Sequence, residues 1–342
     1  MQKLALILTL LVCVGIGWAQ KNEPDKEPKV GLVLSGGGAK GMAHIGALKV
    51  IEEAGITIDY IGGTSMGAIV GALYASGYSA NELDSLFREA DFDDLIQDNL
   101  PRGAKTFYEK EDSERYALTL PFDKFKISFP SAISGGQRIY NELVRLLYHV
   151  KDVNDFNDLP TPFFCIATDI ESGDQVVLDK GYLPEAVMAS GTFPSLFEPA
   201  EIDGQILIDG GVINNYPVLE VKKLGADIII GVDVQHDLRS RENLQSATEI
   251  LLQLNSFRTV AKMKEKAMET DIYIKPDIEN YSVMDFDLAD AIIENGRLAA
   301  LEQFDALKEL AARQKGPDKE LRNIIPKDSI VINRLILEGN IT

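Results

Sequence analysis

Two glycine-bracketed segments and one aspartate in this chain have the residue types and spacing for acyl chemistry. Gly36-Gly37-Gly38-Ala39-Lys40-Gly41 follows an apolar run, and Gly63-Thr64-Ser65-Met66-Gly67 places a serine inside G-x-S-x-G. A serine hydroxyl is a weak nucleophile and needs a base beside it. A sharp strand-to-helix turn pushes such a hydroxyl out of a sheet, and flanking glycines let the backbone take that bend. Gly63 and Gly67 stand at those places. A tetrahedral intermediate also needs preorganised N–H donors for its oxyanion, and backbone without side chains leaves them open to approach. Gly36, Gly37 and Gly38 are the candidates; Lys40 either adds positive charge there or extends into solvent. Together the two segments can support attack on an ester carbonyl.

The base is the next requirement. The chain has 3 histidines, His44, His149 and His236. His44 falls on the helix expected after the glycine loop, where it packs rather than reaches Ser65; the other two have no motif around them. A Ser-His-Asp triad is therefore not indicated. Asp209 is the better candidate, because Gly210-Gly211 follows it and can turn its carboxylate to the rim of a sheet. Burial would raise its pKa toward that of a useful base. A competing reading remains open at this level. Gly36, Gly38 and Gly41 also satisfy G-x-G-x-x-G, with Asp59 downstream, the fingerprint of a dinucleotide-binding oxidoreductase. A phosphate-binding P-loop is excluded, since Gly41 follows Lys40 where Ser or Thr is required. Cys165 lies in an apolar run and reads as a small buried hydrophobe.

These residues need elements to hold them. The pattern predicts a strand at 30–34, the glycine turn, a helix over 42–54 stopped by Gly55, a second strand at 56–61, and a helix of small residues from Ser65. Strand, turn, helix, twice over, indicates an α/β fold with a mostly parallel sheet covered on its faces. Further on we expect a hairpin at 106–130, a helix at 137–150, strands at 163–169 and 175–178, and a short helix at 183–190. A strand at 206–208 then runs into Asp209. The apolar strand at 227–234 comes next, followed by helices at 243–267 and 287–314 around a strand at 271–274.

Net charge is −19 over 342 residues. That argues against nucleic acid, whose affinity comes largely from neutralising phosphates. It gives no electrostatic help on an anionic lipid surface, so membrane contact would have to come from apolar patches or another domain. Residues 1–20 read as a signal peptide: Lys3, an apolar core too short for a membrane span, and a small-residue cleavage site near Gly17-Trp18-Ala19. An exported chain is expected, in the periplasm, at the outer membrane or beyond it. Residues 21–29 read as a linker and 30–315 as one domain. Gly316-Pro317 marks a boundary, after which 328–340 forms either an ordinary edge strand or the start of a truncated POTRA module, which it resembles through Glu338-Gly339-Asn340. Such modules precede outer-membrane β-barrels.

The ordered set Gly36 to Gly41, Gly63 to Gly67, Ala189-Ser190-Gly191-Thr192-Phe193-Pro194 and Asp209-Gly210-Gly211 resembles the patatin-like phospholipase family over roughly residues 28–235. The resemblance implies a patatin-like three-layer sandwich with a G-x-S-x-G nucleophile elbow. It also implies a Ser65–Asp209 dyad and an oxyanion loop at Gly36 to Gly38, with Lys40 where arginine is common. The activity implied is lipid acyl hydrolysis, of phospholipase A, lysophospholipase or esterase type. No metal or cofactor is expected, and the partners are a phospholipid or other fatty-acyl ester, a membrane lipid surface, and a POTRA or barrel region of a longer chain. The remaining alternative is a non-catalytic lipid-binding passenger of a barrel protein.

Overall fold

The computed structural model describes residues 27–98, 122–123, 126–127, 132, 134–238 and 247–314. The expected signal peptide and the tail after 315 lie outside them, as does most of the hairpin expected at 106–130. Two short strands of that hairpin, β3 (Phe122–Asp123) and β4 (Lys126–Ile127), are described and pair antiparallel.

The chain begins with β1 (Val30–Leu34), a 3-10 turn at Gly38–Met42 and α1 (Ala43–Ala54), then β2 (Tyr60–Thr64) and α2 (Met66–Ala75). After α3 (Ala80–Glu89), α4 (Phe92–Gln97) and α5 (Gln137–Leu146) come β5 (Phe163–Asp169), β6 (Gln175–Leu178), α6 (Leu183–Gly191), β7 (Ala200–Ile202) and β8 (Gln205–Asp209). The last part holds α7 (Val218–Lys223), β9 (Ile228–Val232), α8 (Ala247–Met268), β10 (Ile272–Ile274), α9 (Ala289–Leu301) and α10 (Phe304–Arg313).

The main sheet is 8-stranded, with order β10-β9-β1-β2-β5-β8-β7 and β6 paired to β5. From β10 to β5 every pairing is parallel; β8 and β6 join β5 antiparallel, and β7 joins β8 antiparallel. β1 is buried along its whole length, as a strand covered on both faces must be. Its side chains sort by pleat: Val30, Leu32 and Leu34 enter one core with α1, α2, α3, α5 and α6, while Val33 enters the other with Phe164, Ile166, Tyr216 and Val221. That gives helix, sheet and helix, the three-layer α/β sandwich expected.

Beyond shifts of one or two residues at strand ends and the unexpected β7 and α7, three differences from the expectation matter. The second strand runs at 60–64 rather than 56–61, so it ends at the residue before Ser65. The last long helix is two, α9 and α10. The helix expected at 137–150 ends at Leu146 and tightens into a 3-10 turn at Tyr148–Val150.

Candidate active site

The parallel strands β1 and β2 pair Leu34 with Gly63, which places the glycine loop and the serine turn side by side at the carboxyl edge of the sheet. Open α/β sheets bind ligands at that edge. Antiparallel β8 arrives from the other side and sets Asp209 opposite Ala167, next to the Ile166 that pairs with Thr64. Three separate segments thus converge because of strand order and register.

Ser65 sits between β2 and α2 with φ 55° and ψ −124°, left-handed backbone that a non-glycine residue rarely adopts. Such strain costs on the order of 1–3 kcal/mol and persists only where surrounding contacts impose it. Here they do. A Cβ on Gly63 would collide with the carbonyl of Gly67, and one on Gly67 with the carbonyl of Leu34. The Ser65 amide donates to the Ser190 hydroxyl at 3.1 Å, which in turn donates to the Ile166 carbonyl at 2.6 Å. Ser190 therefore ties the turn to α6 and β5.

The Ser65 hydroxyl donates to Asp209 Oδ2 at 2.6 Å. The other carboxylate oxygen, Oδ1, accepts the Gly211 amide at 2.6 Å. Asp209 is only 4% exposed, and its own backbone is fixed by a bond from its amide to the Thr192 carbonyl at 2.9 Å and from the Thr168 hydroxyl at 3.0 Å. Burial pushes the carboxyl up to about 6, against the opposing pull of the Ser65 and Gly211 bonds.

The glycine loop turns over this pair. The Gly36 amide is committed, donating to the side-chain carbonyl of Asn215 at 3.1 Å, while Asn215 Nδ2 returns a bond to the Gly36 carbonyl at 3.1 Å. Gly36 thus anchors the loop, and the amides of Gly37 and Gly38 are the donors the loop can turn toward a substrate. Gly38 has φ 56°, and a Cβ there would strike the Val283 carbonyl, the same oxygen that accepts the Ala39 amide at 2.9 Å. Lys40 is 1% exposed and lines the cavity described below, so it does not extend into solvent.

His44 is buried on α1 and donates from Nε2 to the Ser35 carbonyl at 2.7 Å, bracing the residue before the glycine loop. Burial lowers its pKa to about 4. His149 sits with its ring nitrogens on the carbonyls of Leu146 and Ser76. His236 lines the cavity wall, a placement its sequence surroundings did not signal. Cys165 is buried, its thiol donating to the Ala186 carbonyl at 3.4 Å, and burial pushes its pKa up. The dinucleotide reading fails on geometry. Asp59 accepts the Val30 amide at 2.9 Å, so it lies at the amino end of β1, across the sheet from the loop whose ligand it would have to recognise.

Ser65, Asp209, Gly36, Gly37 and Gly38 all open into one cavity of about 400 Å³. Its lining is mostly apolar, with Ile69 and Leu73 of α2, Phe87 of α3, Ile96 of α4, Leu143 of α5 and Val187 of α6. Among the polar residues that also line it are Gln235, His236, Asp237 and Gln253. Helices α3 and α4 were not among the expected elements, yet they contribute to this lining. The Asp98 carboxylate accepts the amides of Gln137 and Arg138 at 3.1 and 3.0 Å, and Arg138 pairs with Asp94, so α4 is tied to the start of α5. Among the described residues no cluster of three or more His, Cys, Asp or Glu could hold a metal ion.

A strained serine on a glycine-flanked turn, a buried aspartate within hydrogen-bond reach and a glycine loop over a mostly apolar cavity thus meet at one edge of the sheet of a three-layer α/β sandwich. Residues 32–222 match the family model for patatin-like phospholipases, and the chain belongs to that family. Among its relatives is the lysophospholipase NTE1 of Pyricularia oryzae, 31% identical over 309 residues that span 83% of this chain and 19% of that protein. The lysophospholipase NTE1 of Coccidioides immitis is 32% identical over 305 residues, 82% of this chain and 18% of that one. The chain therefore spans about a fifth of the length of these curated relatives. Among solved structures, VipD from Legionella pneumophila aligns with TM-score 0.46 and 15% identity over 82% of this chain and 67% of that chain. The type III effector ExoU aligns with TM-score 0.39 and 18% identity over 82% and 54%.

Proposed function

We propose that this chain is a lipid acyl hydrolase acting on phospholipids or lysophospholipids through a Ser65–Asp209 dyad. The observation that carries the reading is the 2.6 Å bond from the hydroxyl of Ser65, on its strained turn, to a buried carboxylate that opens into a mostly apolar cavity.

In the first step Ser65 Oγ bonds to the ester carbonyl carbon as its proton passes to Asp209 Oδ2. The carbonyl oxygen becomes an oxyanion, which the Gly37 and Gly38 amides receive. Collapse breaks the bond to the leaving oxygen, which takes the proton back from Asp209 and departs as the alcohol or a shortened phospholipid. Water then attacks the acyl-serine, gives its proton to Asp209, and the fatty acid leaves as Ser65 recovers its proton. Asp209 serves as base and then acid in each half, a role suited to a carboxyl near 6. The apolar lining takes the acyl chain, and the polar groups of Gln235 to Asp237 receive the head group.

The test is turnover of a fluorogenic ester and of labelled lysophosphatidylcholine, beside Ser65→Ala. Release of fatty acid by the wild type and its loss in the variant support the reading. Equal turnover by both sinks it, and no turnover by either shifts the chain to a lipid-binding role.

A further inference from the structure

Helix α8 carries an exposed stripe that no described residue covers. Ile250, Leu254, Phe257, Ala261, Lys264 and Met268 recur at steps of four and three residues, one face of a helix, and all are exposed. Ile250, Leu254 and Phe257 are 47%, 55% and 48% exposed, and Met268 is 73% exposed. Scattered single apolar residues on a surface need no explanation; an aligned row of them does.

The flank of the same helix enters the active-site cavity. Gln253 and Val260, neighbours of the stripe on the helical surface, line it. Met284 lines it as well and is 44% exposed, so the cavity lining reaches the surface. The charge of the segment also differs from the rest of the chain. Net charge is −19 overall, yet α8 carries Arg258, Lys262, Lys264 and Lys266 against Glu249 and Glu265, a net charge of +2. A largely apolar helical face that carries Lys264, with Lys262 beside it, suits a helix lying in the interface of a phospholipid layer, apolar side chains in the acyl boundary and ammonium groups among phosphates. The bulk charge gave no reason to expect this; the local sequence reverses its sign. Among the described residues no helix is long and apolar enough to cross a membrane.

We infer that the outer face of α8 is the docking surface for a phospholipid layer, and that it sets the cavity mouth against the lipid from which the substrate is drawn. This rests on the reading of the chain as a lipid acyl hydrolase. Neither Leu254 nor Phe257 lines the cavity, so replacing them leaves the catalytic groups in place.

The experiment uses the full chain and vesicles of phosphatidylcholine and phosphatidylglycerol at about three to one. Binding is read by co-sedimentation in a Ser65→Ala background, so that it does not depend on turnover. Leu254→Ser with Phe257→Ser is expected to weaken binding about tenfold or more, as loss of two immersed side chains implies. In the active protein the same pair should leave kcat/KM for a soluble short-chain ester within about twofold and lower turnover of vesicle phospholipid about tenfold. Equal vesicle binding with and without the pair overturns the inference. So does a matching loss on the soluble ester, which would make α8 a support of the site, or a wild-type dimer that the pair dissociates, which would make the stripe a contact between copies. If Ser65→Ala leaves ester turnover unchanged, the hydrolase reading fails on its own, whatever the vesicles show.

Discussion

At the residue scale, two groups hold conformations or charge states that would be unfavourable elsewhere. The Asp209 carboxyl, held near 6 by burial, must be ionised to accept the Ser65 proton. For a neutral ester, kcat/KM should therefore climb with pH through an apparent pKa of about 6 and level off above it. A profile flat from pH 5 to 8 would remove Asp209 from the proton-accepting role. Asp209→Asn keeps the shape and a partner for Gly211 but cannot take a proton, and should lower turnover by about 10²–10⁴-fold. The Ser65 backbone gives a separate prediction. With φ 55° and ψ −124°, alanine there keeps the strain while glycine relieves it. Both variants lack the hydroxyl, yet Ser65→Gly should be the more stable by about 1 kcal/mol in urea unfolding. If Ser65→Ala is equally stable or more so, the turn is not strained.

At the element scale, the site is made by three strand ends and the side chains that lock them. Asn215 pairs with both backbone groups of Gly36 and so fixes the distance between the glycine loop and the Asp209 turn, six residues upstream in its own segment. It touches no reacting atom. Asn215→Ala should lower kcat by about 10–100-fold, the scale expected for displaced donors, with KM changing far less. A rise in KM alone would assign Asn215 to substrate binding instead. Much of this arrangement was readable. The glycine turn, the serine and Asp209 each announce themselves because the chemistry needs special backbone at short range. What could not be read was long-range. Strand β2 was expected to start four residues early and to stop before Gly62-Gly63, because glycine has poor strand propensity; a Cβ on Gly62 would strike Phe164 and Val221, so packing decides there. The split between α9 and α10 falls at Glu302-Gln303, ordinary helix-forming residues with no local stop signal. Helix α3 did carry a local signal, the Ser79 to Glu82 capping box, which the structure forms in both directions. Asn215 stands two residues before a proline in a loop and had no pattern that could single it out.

At the scale of the whole molecule, the site has a thermodynamic consequence, because two buried groups titrate in opposite senses. Asp209 rises from 3.8 to about 6 in the fold, so its contribution to stability is full below pH 3.8 and is lost as pH rises through about 6. His44 falls from 6.5 to about 4, so its contribution is full above pH 6.5 and is lost as pH falls through about 4. Each gap corresponds to roughly 3 kcal/mol. Between about pH 4 and 6 the two slopes oppose one another, and the wild type should change little in stability from this pair. Asp209→Asn removes one slope. The variant should be more stable than wild type by about 1–3 kcal/mol at pH 7.5 and close to it at pH 4.5, with a steeper loss toward acid. Adding His44→Gln, which can still donate to the Ser35 carbonyl, should flatten that acid limb again. Urea midpoints at a series of pH values for the three proteins decide it. A constant offset between wild type and Asp209→Asn at every pH would mean that the carboxyl is not held near 6, and that the stability cost of this site comes from the turn at Ser65 alone.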